Sequence, residues 1–117
     1  MVTAKNERWS NWETVPEQHP VAGVHMQAVS RDQLMVTRVC LEPASVIPPH
    51  NHPHEQMSVV LEGSLEMTLD GETRKIGPGD VVAIPANATH GVMVGPSGAT
   101  VIDVFTPPRD DYRNPGE

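Results

Sequence analysis

The stretch that decides the reading is 50–63, HNHPHEQMSVVLEG. His50 and His52 stand two residues apart, Gln56 follows four later, and Gly63 closes the run. Alternate residues of a β-strand point to the same face, so both imidazoles can aim at one point. Imidazole is the usual nitrogen ligand of a transition metal. Two rings are not a site, because even a catalytic metal with an open position takes three or four protein ligands. His54 shares the parity of His50 and His52, but Pro53 bends the segment between them. Glu55 has the opposite parity and should face away.

Around this stretch the composition narrows the fold. The chain has 117 residues, with twelve prolines, nine glycines and many short Val/Ile/Leu runs. That length suits one domain with a real core, and the punctuation reads as all-β with frequent turns. A net charge of −7 argues against a nucleic-acid or anionic-membrane partner, either of which favours a basic patch. An anionic small substrate stays compatible, since one metal and one arginine reverse the sign locally. Cys40 is the only cysteine, so no intrachain disulfide forms and a reducing compartment is expected; its ordinary role is a buried strand residue. The opening MVTAKNERWSNW has no apolar signal segment, and no apolar run reaches membrane-spanning length. The expectation is a cytoplasmic protein.

In chain order, 1–19 is a polar arm whose Trp9 and Trp12 should pack on the barrel or on a neighbouring subunit, in keeping with a homodimer. His19 and His25 read as ordinary residues, neither having a second histidine at ligand spacing. Strands are expected at 21–29, 34–41, 57–61, 64–69, 73–76, 81–85, 91–94 and 99–105. Pro43, Pro48 and Pro49 break the pattern between the second and third. Glu62-Gly63, Asp70-Gly71, 77–80 and Gly95-Pro96-Ser97-Gly98 read as turns. Residues 107–117 read as a polar tail. Eight or nine short strands across about 20–106 indicate a small barrel or sandwich.

A third histidine, His90, follows the run from Gly79 to Pro85 and begins a strand. The pattern of His50, His52, Gln56 and Gly63, then Gly79, Pro85 and His90, resembles the two short motifs of the cupins. The resemblance implies a small double-stranded β-helix, a jelly-roll-like barrel. It also implies one divalent transition metal (Zn, Ni, Fe, Mn or Cu) held by His50, His52, Gln56 and His90. This chain departs from the pattern twice: Gln56 replaces the usual glutamate ligand, and Asn87 stands where a glycine is common. A glutamine keeps the oxygen but not the charge, so the metal would keep its full +2 and be a stronger Lewis acid.

The second informative stretch is 101–109, VIDVFTPPR. Asp103 shares a strand face with Val101 and Phe105, and a carboxylate among apolar neighbours is costly unless paired or functional. It is either a structural acceptor or a general acid/base. Arg109 could grip a carboxylate through its fork or be a solvated tail residue. The segments HNHPHEQMSVVLEGSLEMTLDGE and DVFTPPRDDY resemble the pectin-degradation cupins of KdgF type, a likeness that covers about 45–105 well and the N-terminal arm poorly. That resemblance implies an enzyme linearising unsaturated monouronates from pectin or alginate, with Asp103, Phe105 and Arg109 catalytic or substrate-binding. Two other readings stay open: a cupin dioxygenase acting on a small organic substrate, and a metal-stabilised binding barrel without catalysis.

Overall fold

β2 (Val24–Ser30) and β3 (Met35–Leu41) alternate buried and half-buried at every step, as strands with one face on a core must. The structure, a computed structural model, describes residues 8–113. Its other strands are β1 (Glu17–Gln18), β4 (Val46–His50), β5 (Glu55–Leu69), β6 (Glu72–Ile76), β7 (Val81–Ile84) and β8 (His90–Thr106), followed by the short helix α1 (Asp110–Arg113). All pairings are antiparallel, along the path β1-β2-β3-β8-β5-β6 with β4 on β8 and β7 on β5. The expected all-β barrel is what forms.

Two long strands build it. The first part of β5 pairs with β7 and with the end of β8, whereas its second part pairs with β6 and with the start of β8. Each strand therefore crosses from one layer to the other, and Val24, Met26, Val60, Leu65, Ile84 and Val101 fill the space between. This corrects two expectations. Glu62-Gly63 does not close a hairpin, and Gly95-Pro96-Ser97-Gly98 does not separate two strands. Both are irregular points inside continuous strands, where the register shifts between Val60 and Glu62 and again between Gly63 and Leu65. Bulges of this kind bend a strand round a corner.

Gly63 carries the corner. Its φ is +76°, and a Cβ there would collide with the Gly98 carbonyl oxygen. Gly63→Ala should therefore destabilise the protein by about 2–3 kcal/mol. A denaturant melt checks this, and a cost below about 1 kcal/mol would mean the corner relaxes. By contrast Asp70-Gly71 is a tight hairpin turn as expected, both residues having positive φ.

Three further expectations change. Pro48 and Pro49 lie inside β4 rather than before a strand, at the irregularity where its pairing with β8 shifts. The regular ladder is interrupted at that irregularity, so two prolines without N–H groups are tolerated there. Cys40 is half-buried on the outward side of β3, where Arg38 reaches its sulfur. Within the tail, α1 is helical and anchored: Gln18 donates to the Tyr112 carbonyl, and Arg113 to the Arg31 carbonyl. In the arm, Asn11 opens a turn by accepting from the Glu13 amide, and Gln27 holds the Trp12 and Val15 carbonyls. Trp12 is half-buried and Trp9 is 90% exposed. The parts of the arm and tail at 1–7 and 114–117 lie outside the described residues. Among the described residues no helix is long and apolar enough to cross a membrane.

Candidate metal centre

The motif histidines meet at one end of the barrel. His50 ends β4 and is paired directly with His90, the first residue of β8. His52 lies beyond the strand, in the loop leading to β5, so strand parity is not what aims it. Its loop is tied down instead, since the Asn87 amide donates to the His52 carbonyl at 2.8 Å. Asn87 has a φ of +66°, and asparagine is among the few residues that accept this region. The departure from glycine there is conformationally silent. Gln56 comes from the other layer, at the start of β5, paired with Phe105 and Ile84.

Ring centroids are 4.3 Å apart for His50 and His90, 5.0 Å for His52 and His90, and 5.8 Å for His50 and His52. One nitrogen from each of the three lies within 4.8 Å of the others. All three rings are set in the same way. Nδ1 of His50, His52 and His90 faces the carbonyls of Pro48, His54 and Ala88 at 2.9, 3.0 and 2.9 Å. Each neutral ring then carries its proton on Nδ1 and leaves Nε2 bare. Burial holds His52 and His90 below the ordinary histidine pKa, and for His52 the Arg109 charge adds to it, so both favour the neutral form.

The bare Nε2 of His52 stands 3.0 Å from Oε1 of Gln56. Gln56 cannot turn its amide round without loss, because its Nε2 donates to Ser58 Oγ at 3.0 Å. Two acceptors thus face each other in a buried place, and a cation between them relieves the repulsion. Three imidazole nitrogens and one amide oxygen fit a divalent transition metal and favour no single one. His54, whose buried Nδ1 has no hydrogen-bond partner among the described residues, packs beside His52 but stands outside the three-histidine cluster. Glu55 is exposed.

From Gln56 the hydrogen bonds continue inward. Ser58 Oγ donates to Asp103 Oδ1 at 2.6 Å. Burial pushes the Asp103 carboxyl up to about 6, with the Ser58 and Gln56 hydrogen bonds and the Arg109 charge pulling the other way. Phe105, 2% exposed, meets the His52 ring edge-on at 5.9 Å. Arg109 is no solvated tail residue: its side chain is only 15% exposed. Its guanidinium lies 4.0 Å from the centre of the Tyr112 ring and 5.6 Å from that of Phe105, and it pairs with Asp111 at 2.9 Å. The sequence reading missed Ser58 and Tyr112. Ser58 had a signal, namely the face it shares with Gln56; Tyr112 had none, because α1 is too short to show a period. A cavity of about 90 Å³ is lined by His50, His90, Gln56, Asp103, Arg109 and Tyr112, among others.

An antiparallel barrel whose two longest strands each serve both layers, with three imidazoles and an amide at one mouth, is the architecture of a cupin. The Cupin domain family model matches residues 37–105, and the chain belongs to that family. It is 35% identical over 82 residues to the pectin degradation protein KdgF of Dickeya dadantii (strain 3937), covering 69% of this chain and 74% of that protein. The solved structure of KdgF from Halomonas sp. is similar with a TM-score of 0.80 at 32% identity, over 86% of this chain and 94% of that one. An RmlC-like cupin from Shewanella frigidimarina NCIMB 400 has a TM-score of 0.85 at 28% identity, over 91% and 96% of the two chains.

Proposed function

We propose that this protein is a metal-dependent enzyme that linearises 4,5-unsaturated monouronates from pectin or alginate breakdown. One observation carries the reading: a half-buried carboxylate, Asp103, and a shielded guanidinium, Arg109, line the same cavity as His50, His90 and Gln56. The likeness to two KdgF proteins supports it. His50, His52 and His90 through Nε2, with Gln56 through Oε1, would hold the metal, which when bound supplies Lewis-acid polarisation of a substrate oxygen.

The rest falls to side chains. Opening a cyclic unsaturated uronate removes the proton from the anomeric hydroxyl, breaks the bond from that carbon to the ring oxygen, and adds a proton at C4. The products of that exchange are an aldehyde at C1 and a ketone at C5 in one open chain. A carboxyl with a pKa of about 6 can both accept and return a proton near neutrality, which is the task proposed for Asp103. Ser58 holds it in place. Arg109 would grip the substrate carboxylate, its plane steadied against Tyr112, and Phe105 would keep the wall apolar.

Size adds a condition. Small-molecule sites usually enclose roughly 300 Å³ or more, well above this cavity. The cavity must therefore widen to admit a sugar acid.

The test is the loss of conjugated ultraviolet absorbance from a freshly lyase-generated unsaturated galacturonate. Acceleration over the spontaneous reaction, abolished by a chelator and restored by metal, is the expected result. No acceleration, together with oxygen uptake on a small organic substrate, would transfer the site to dioxygenase chemistry. Within the same assay Arg109→Gln should raise KM about 10–100-fold, the worth of one charge-assisted pair, and change kcat far less. An unchanged KM would remove Arg109 from substrate binding.

A further inference from the structure

A second group of potential ligands lies on the outer face of the barrel, where β1, β2 and β3 run side by side. The register pairs Glu17 with Gln27 and Gln18 with Met26. One further step along it sets His19 opposite His25, with Glu17 on the diagonal. On its other side His25 is paired with Cys40, which leaves Glu42 on the opposite diagonal. Directly opposed and diagonal residues of one face are within side-chain reach. All four side chains therefore converge, although they are scattered from 17 to 42 in the chain. A search for histidines spaced along the sequence could not find them.

The distances suit an ion. Nδ1 of His25 is 2.8 Å from Oε1 of Glu17, and Nε2 of His19 is 3.5 Å from the same oxygen. The two imidazoles stand edge to face with centroids 4.8 Å apart, and one ligand atom from each of the three residues lies within 4.8 Å of the others. A tetrahedral ion with bonds of about 2.0–2.1 Å spaces its ligands roughly 3.4 Å apart, so the three donors need only small shifts. The remaining ring nitrogen of His25 is held by Glu42 Oε2 at 2.7 Å. A carboxylate on the far nitrogen is what usually orients a metal-ligating histidine.

We infer that Glu17, His19 and His25 form a second metal site, separate from the barrel centre, with Glu42 orienting His25. Two imidazoles and a carboxylate suit a first-row divalent ion of the zinc, nickel or copper type rather than calcium or magnesium. Three protein ligands leave a position for water. The site has a structural consequence, because β1 is only two residues long and the ion would fasten it to β2. It does not depend on the enzymatic reading.

Zinc is the probe. The full chain without a histidine tag is stripped with a chelator, dialysed against micromolar zinc chloride, and its bound metal counted. The double variant His19→Gln/His25→Gln changes only exposed or half-buried outer side chains, and circular dichroism verifies its fold. It should hold one equivalent of zinc fewer than the wild type. In a His52→Ala background, zinc should still raise the melting temperature, and the double variant should abolish that rise. Equal zinc content in the wild type and the double variant would overturn the site. So would a zinc-dependent rise in melting temperature that survives loss of both histidines.

Discussion

His52→Ala should release the metal of the barrel centre and with it the activity. Truncating the side chain removes one of four convergent ligand atoms and leaves Gln56 Oε1 facing empty space. Groups that merely hold a metal ligand in place cost about 10–100-fold when removed, so loss of a ligand itself should cost at least about 100-fold in kcat/KM. Metal analysis and the absorbance assay, run on one preparation, check both halves. His52 is 7% exposed and packs on Phe105, so the variant also opens a void beside the cavity. His90→Gln controls for that void, because it keeps most of the volume and should lose metal and turnover in parallel. Full turnover with the metal gone would show that the histidine cluster is structural.

The histidine cluster and the course of the long strands were not equally legible in the chain. The histidine cluster was legible because its constraint is local: His50, His52 and Gln56 fall within seven residues, and His90 opens a strand after a run punctuated by Gly79 and Pro85. Parity brought His52 beside His50 for an incomplete reason, since the residue sits in a loop and its Nδ1 hydrogen bond sets the ring. The β5 and β8 strands were harder. Gly63 and the Gly95–Gly98 run have the composition of turns, and nothing local separates a bulge that bends a strand from a loop that ends it. Only the register, a property of two strands at once, decides. The same limit hid the outer cluster of His19 and His25, which cross-strand pairing creates. It also hid the place of Tyr112, whose burial against Phe105 and Arg109 depends on where a four-residue helix docks.

Asp103→Asn should keep the metal and lose about 10²–10⁴-fold in turnover, the usual worth of a positioned acid/base. The same substitution should make the metal-free protein more stable at neutral pH, and the sign follows from linkage. The Asp103 carboxyl has a pKa of about 6 in the folded protein against 3.8 for its ordinary value. A group whose pKa is raised by folding binds its proton more tightly in the folded state. Its contribution is therefore whole below about pH 4 and is lost as pH rises through about 6. Asparagine has no charge to bury, and its amide oxygen can still accept from Ser58. The variant should match the wild type near pH 4 and exceed it above pH 6 by something on the order of 1–3 kcal/mol. Denaturant melts at the two pH values, on chelator-stripped protein, read that difference directly. The metal has to be absent from this arm, because a bound cation would reverse the cost of the carboxylate. Every other titrating group is common to both proteins and cancels. Full turnover in the variant would remove Asp103 from the chemistry. Equal stability at both pH values would mean that the carboxylate is solvated rather than buried. A variant that is more stable, equally metal-loaded and nearly inert would show why the charge is there: the fold tolerates a strained carboxylate because the reaction requires one.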